Sequence, residues 1–375
     1  MPRLTATELS TQTAVQFVFS VPLDLMNAMY FTSLVPNMVG AEGWPVRVRE
    51  QMAPDLLADL DFLYNYPAGD PAIVGTLQDF LFAHPAVWDD VASLVEFVRN
   101  TPAGLGNSEV HPGIQGLIYE ATFRYLDEAD TMPYKNMSPR EAVEARMRTL
   151  DDRDANAIMA DFDRPEELRE RIARLIERFY EEHYREELPR RRPALERSVT
   201  SHTGASREEA FAVIRKLTGR PSLCVEDEDI CPGPYSALIF CPSVDVGPYL
   251  SCADIGGPQP VHGMFYPCEA AFTDNSSPDA EETTRMARVY KALGDEQRLR
   301  ILHLLQDREM YAQEIVDRMD VHQSVISRHL SFLRAVGLVQ VRKHNNMKFF
   351  SLNPAITGEL GKTLDLFAGA VLREA

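Results

Sequence analysis

Between Val321 and Phe350 the sequence has no acidic residue, yet it carries Arg328, Arg334, Arg342, Lys343 and Lys348. The chain as a whole has 56 Asp+Glu against 38 Lys+Arg, so this stretch runs against the composition. Cations without neighbouring carboxylates suit a polyanion, and local charge says more about partners than the net value does. The same stretch holds Gln323, Ser324, Ser327, His329 and Ser331 close to Arg328, with Asn345 between the lysines. Amide and hydroxyl groups can read base edges, and a guanidinium can take guanine or phosphate. The chemistry on offer is phosphate neutralisation combined with base readout in double-stranded DNA.

Such side chains need an element that enters a groove and another that reaches the backbone. Arg285–Leu293 reads as a helix ended by Gly294, and Asp295 can cap the next one, which buries Leu299, Ile301, Leu302, Leu304 and Leu305. Ala312–Met319 reads as a third helix with Ile315, Val316 and Met319 inward, followed by a turn at Asp320-Val-His-Gln323. Val325, Ile326, Leu330, Leu333 and Val336 keep helical spacing in a fourth helix as far as Gly337. Strands Leu338–Lys343 and Met347–Leu352 follow, joined by His344-Asn-Asn346, and a last amphipathic helix runs from Pro354 to Leu372. This order is that of a winged helix-turn-helix, whose fourth helix enters the major groove by its first residues.

Ala292-Leu-Gly-Asp-Glu-Gln-Arg-Leu-Arg-Ile-Leu-His-Leu-Leu305 and Gln323-Ser-Val-Ile-Ser-Arg-His-Leu-Ser-Phe-Leu-Arg-Ala-Val-Gly-Leu-Val339 resemble the ArsR/SmtB family of winged-helix repressors. The resemblance covers about a quarter of the chain. It implies a homodimer formed through the first and last helices of the module, bound to a two-fold symmetric operator, usually as a repressor. It also implies base-reading positions at Gln323, Ser324, Ser327, Arg328 and His329; the acid-free stretch itself puts Arg342, Lys343, Asn345 and Lys348 on the wing as further DNA contacts. Metal sensors of that family place thiolates in the third helix or His and carboxylate pairs on the last. Here Met310–Asp317 has no cysteine, and Leu360–Leu372 has Asp365 alone and no histidine. No metal and no cofactor is expected.

The rest of the chain differs in character. Residues 281–375 hold 14 Lys+Arg and 12 Asp+Glu, a net of +2, so residues 1–280 carry a net of −20 out of the total −18. At 375 residues two domains are the natural expectation: 1–272, a linker at 273–280, and 281–375. The fold class expected is α+β, a mostly helical N-terminal domain with a small, mostly antiparallel sheet that a strand near Ala14–Val21 joins. Helical spacing appears at Leu56-Leu57-Leu60-Leu63, Ile73-Leu77-Phe80-Leu81 and Val91-Leu94-Val95, and in a long charged helix from Arg164 to Glu187. Ser138-Pro139-Arg-Glu141 and Ser206-Arg-Glu-Glu209 read as helix starts.

All five cysteines fall between Cys224 and Cys268, at spacings that suit buried thiols rather than a paired metal site. No hydrolase elbow, phosphate-binding loop or zinc-protease pattern occurs, so no catalytic residue is named and no enzyme is expected. His183 with Glu186 and Glu187 reads as ion pairing along a charged helix. No run of apolar residues reaches membrane-span length, which makes the cytoplasm the default. The N-terminal part then reads as an effector domain for a small non-metal ligand, with Trp44, Trp88, Tyr119, Tyr125 and Tyr249 as cavity or core aromatics. The alternative is a partner-binding scaffold or an enzyme of unrecognised type.

Overall fold

The computed structural model describes residues 13–38, 43–64, 73–107, 111–123, 126, 128–149, 155–218, 235–246, 249–268, 278–319, 321–344 and 347–354. The N-terminal part opens with strand β1 (Ala14–Phe17) and helices α1 (Val21–Leu34), α2 (Trp44–Gln51), α3 (Pro54–Tyr64), α4 (Ile73–Leu81) and α5 (Val91–Asn100). A two-residue ladder of β2 (Gly106–Asn107) with β3 (His111–Pro112) leads into α6 (Ile114–Phe123), α7 (Glu128–Thr131), α8 (Pro139–Thr149) and α9 (Ala155–Asp163). Then come α10 (Pro165–Phe179), a π-helical turn Tyr180–Tyr184, α11 (Arg185–His202) and α12 (Arg207–Thr218). Strands β4 (Ala237–Ser243), β5 (Ser251–Ile255) and β6 (Val261–Pro267) complete it. Among the described residues no helix is long and apolar enough to cross a membrane.

The sequence-level helix starts are present as capping boxes. Ser138 and Ser206 each donate a backbone N–H to the glutamate three residues on, at 2.9 and 2.7 Å. Glu141 and Glu209 return their own N–H to the serine hydroxyls at 3.4 and 3.3 Å. The long charged helix runs past Glu187, because α11 continues through Pro189 and Pro193 to His202. The wider π-helical turn lies directly ahead of those prolines, which each remove a backbone donor.

The sheet departs from the antiparallel expectation. Its order is β1-β4-β6-β5, with β1 and β4 parallel, β4 and β6 parallel, and only β5 and β6 antiparallel. The physical reason is connectivity. Helices α1 to α12 lie between β1 and β4, and a helical crossover permits parallel pairing where a tight hairpin does not. The one short turn, from β5 to β6, gives the one antiparallel pair, and β6 inserts beside β4 in the same direction. Ile239, Cys241 and Phe265 pack into the main helical core, whereas Leu238, Phe240, Met264 and Tyr266 pack with Phe211 and Ile214 of α12. Both faces are covered, which is why β4 and β6 read as near-continuous apolar runs.

Charges are buried where α1, α11 and the end of β4 meet. Asp24, Asn27 and Arg191 are each 2% exposed or less. Arg191 makes a two-pronged pair with Asp245, Nη2 lying 3.1 Å from Oδ1, and its Nη1 is 3.7 Å from Asp24. Its guanidinium sits 4.2 Å over the Trp44 ring, and Tyr184 donates its hydroxyl to Asp24. Asn27 donates to the Ser243 hydroxyl at 2.7 Å, and that hydroxyl accepts the Asp245 N–H at 3.2 Å. Burial is the largest influence on Asp24 and lifts its carboxyl to about 6; Arg191 opposes the rise and Asp245 adds to it.

The C-terminal part comprises α13 (Pro278–Leu293), α14 (Glu296–Leu304), β7 (Met310–Tyr311), α15 (Ala312–Met319), α16 (Gln323–Ala335), β8 (Val339–His344) and β9 (Met347–Leu352). Helix α13 starts at Pro278, inside the expected 273–280 connection, whose residues 273–277 lie outside those described, as do 355–375 of the expected last helix. Val289, Ile301, Leu305, Ile315, Ile326, Leu330, Leu333 and Phe350 form one core. Asp295 caps α14 by accepting the Arg298 N–H at 3.0 Å, as its sequence position suggests. Arg298 itself is 6% exposed. It donates to the carbonyls of Ala292 at 2.6 Å and Lys291 at 2.8 Å, and its guanidinium lies 5.1 Å from the Phe332 ring. One side chain therefore closes the C-terminus of α13 and props α16.

Two measurements test these buried charges. Arg298→Met strips two charge-assisted bonds and is expected to lower the stability of the C-terminal part by about 3 kcal/mol, read as a shifted urea midpoint. For Asp24 the folded carboxyl lies above its unfolded value of 3.8. Above pH 6 it is ionised in both states and its burial is a cost; as pH falls from about 6 to about 4 the folded protein takes the proton first. Wild-type stability relative to Asp24→Asn is thus expected to rise over that window by on the order of 2 kcal/mol in urea titrations. A flat difference would refute the assignment.

Candidate nucleic-acid interface

Helix α16 starts at Gln323, with His322 at its N-cap and Gly337 past its end at φ +79°. Its core stripe is Ile326, Leu330 and Leu333, all at 2% exposure or less. Gln323, Ser327, Arg328 and Ser331 are exposed; Gln323, Ser327 and Ser331 recur every four residues and Arg328 precedes Ser331 by three, so they share the opposite side. Ser324 lies on the same helix, with its side chain outside those described. His322, not among the expected readers, is exposed one residue ahead of Gln323.

His329 does not belong to that face. It is 9% exposed, and burial is the first cause that lowers its imidazole below the usual range, with Arg298 and Arg328 adding to the effect and Asp295 opposing it. The cause is its position on the helix. Ile326, His329, Leu330 and Leu333 fall at i, i+3, i+4 and i+7, which is the core stripe itself, so the sequence spacing already assigned His329 inward. Its polarity drew it into the base-reading set.

The wing is a three-stranded sheet in the order β7-β9-β8, so two residues at Met310–Tyr311 add a strand that the sequence pattern did not reveal. A two-residue strand is too short to show alternation. Arg342 is exposed but engaged: Nη2 lies 2.5 Å from Glu309 and Nε 3.3 Å from the same carboxylate, with the Phe349 ring 5.3 Å below. The hydrogen bonds to Glu309 hold its guanidinium above the usual range. Glu309 lies before the acid-free stretch, and only the fold brings it to the wing. Lys348 is exposed, and the register sets Lys343 directly opposite it. The Lys343 side chain and the whole of Asn345 lie outside the described residues.

Away from this surface, no group of three or more His, Cys, Asp or Glu among the described residues is placed to hold a metal. Cys241 and Cys268 are buried, Cys252 is half-buried, and none of these three is in a disulfide. His262, which lies between two cysteines in sequence, is fully buried and bonds through Nδ1 to Asp254 at 2.7 Å, and Asp254 also accepts from Tyr235 at 2.5 Å. His183 lies edge-on to Phe179 at 5.9 Å, where the sequence suggested ion pairing, and burial lowers its imidazole.

Comparison with known proteins falls on this same part of the chain. The sequence profile described as "Bacterial regulatory protein, arsR family" matches residues 295–341. The transcriptional activator HlyU of Vibrio cholerae is 41% identical over 65 residues, 17% of this chain, which spans 60% of that relative's length. The uncharacterized HTH-type transcriptional regulator MJ1325 of Methanocaldococcus jannaschii is 34% identical over 86 residues, covering 23% of this chain and 97% of its own. The arsenical resistance operon repressor of Staphylococcus aureus is 31% identical over 81 residues, covering 22% of this chain and 78% of its own. With its capped α14, its α15–α16 pair and the start of β8 lying under the matched residues, and with relatives matched across most of their own length, the chain belongs to the arsR family of bacterial regulatory proteins.

Proposed function

We propose that this protein is a sequence-specific DNA-binding transcriptional repressor of the cytoplasm, acting as a homodimer on a palindromic operator. The observation that carries the reading is the exposed Gln323–Ser327–Arg328 face of α16, on a stretch that holds five cations and no carboxylate. The first turns of such a helix meet base edges, and its apolar stripe fixes how far it protrudes. Lys343 and Lys348 face each other in the β8–β9 register, and two cations at one place on the wing support a phosphate partner there. Ser324, Lys343 and Asn345 complete the proposed contact set, and Arg342 joins it by exchanging Glu309 for phosphate.

In this reading residues 281–375 bind DNA, 273–280 connect, and the acidic residues 1–272 respond to a small non-metal effector. The separate apolar cores of the two parts, one around Leu60 and Ile172 and one around Ile326 and Leu330, support this division of roles.

The test is selection of a duplex from a random pool with the full chain, followed by anisotropy titrations across salt. Arg328→Ala is expected to cost about 1–3 kcal/mol and to relax sequence preference. Lys348→Ala is expected to weaken all duplexes alike and to lower the salt slope by about 1. His329→Leu, a change inside the core stripe, is expected to leave base preference intact. Unchanged affinity and slope in both cation variants would remove the reading.

A further inference from the structure

Among the described residues, a ring contact joins the sheet part of the molecule to the helix that carries the exposed face. Tyr249, in the connection between β4 and β5, lies with its ring 6.3 Å from that of Phe332 on α16, at an interplanar angle of 43°. It packs against the core of the C-terminal part, while its neighbour Leu250 packs into the core of the sheet. Phe332 is 4% exposed and is also the ring against which Arg298 lies. The other end of the same connection is held by charge: Asp245 is the partner of Arg191, and Tyr249 donates its N–H to the carbonyl of the fully buried Val246 at 3.0 Å. A buried ion pair and a contact to the DNA-facing helix therefore lie four residues apart on one connection.

The position along α16 gives this contact a sign. Phe332 follows Arg328 by four residues, which is about 6 Å along a helix axis. That is shorter than the screening length of about 8 Å at physiological salt. The part of the chain that Tyr249 anchors there carries a net charge of −20 within residues 1–280. Duplex DNA brings one negative charge per about 1.7 Å to the same helix.

We propose that Tyr249 is a latch that holds the acidic N-terminal part against α16 and so weakens DNA binding, and that the Arg191–Asp245 pair keeps the latch closed. The inference rests on the reading of α16 as the DNA-binding helix. An event that separates Arg191 from Asp245 frees the connection, withdraws Tyr249 from Phe332 and lets the acidic part move off the DNA-facing helix. The switch is conformational, with two arrangements of one connection biased by a buried charge pair.

The full-length protein is titrated by anisotropy with a short fluorescein-labelled duplex of random sequence, and amide exchange is followed across 323–335. Tyr249→Ala is expected to bind about 3–10-fold tighter at about 50 mM salt, with the gain shrinking toward about 200 mM, and to exchange faster in α16. Tyr249→Phe keeps the ring and is expected to match wild type. Asp245→Asn is expected to act like Tyr249→Ala, and the double variant to add nothing to Tyr249→Ala alone. Equal or weaker binding by Tyr249→Ala, or an undiminished effect of Asp245→Asn in its presence, overturns the latch. Where Asp245→Asn fails to fold, the alanine and phenylalanine variants decide alone. If neither wild type nor variants bind any duplex, the DNA reading fails, and unchanged exchange in α16 on Tyr249→Ala then sinks the latch separately.

Discussion

A guanidinium removed from water has to find its counter-charges, and the N-terminal part is arranged around that requirement at Arg191. The side chain is 2% exposed, and its partners Asp245 and Asp24 come from the end of the sheet and from the first helix. Trp44 covers its face from α2, and Tyr184 of the π-helical turn answers Asp24. Removing one member of such a set leaves an uncompensated charge in the interior, which is far costlier than losing a surface pair. Burial outweighs Asp245 and Asp24 in the effect on Arg191 taken singly, yet together its partners hold it charged. Arginine suits the position better than lysine, because its planar fork meets Asp245 with two bonds while its flat face stacks on indole.

The same economy appears in the C-terminal part with Arg298. Its backbone N–H takes the cap from Asp295, its head group closes the carbonyl end of α13, and its plane rests by Phe332. Fixing α13, α14 and α16 relative to one another determines how far Gln323, Ser327 and Arg328 stand out. The Asp295-Glu-Gln-Arg298 run within the family-like block thus has a structural rationale independent of any contact with DNA. Tyr249 meets Phe332 close to that tie.

Much of this was legible from residue pattern. The helices around Leu56, Ile73 and Val91, the two capping boxes, the Asp295 cap and the stop of α16 at Gly337 all follow from local rules. What escaped was non-local. The parallel pairing of β1 with β4 depends on where the intervening helices return the chain. The strand at Met310–Tyr311 is too short to show a period. The inward place of His329 is also local, since it falls in the Ile326–Leu330–Leu333 stripe.

By itself the sequence determined the winged-helix module, its cations and the exposed side of α16, because helix periodicity, caps and turn residues act over a few positions. Tertiary structure alone decided the partner of Arg342 and what the N-terminal part is built on. Arg342 meets Glu309, which precedes the acid-free stretch. Asp24, Arg191 and Asp245 lie far apart along the chain and adjacent in space. Opposite charges attract by distance in space, and no window on a linear sequence measures that.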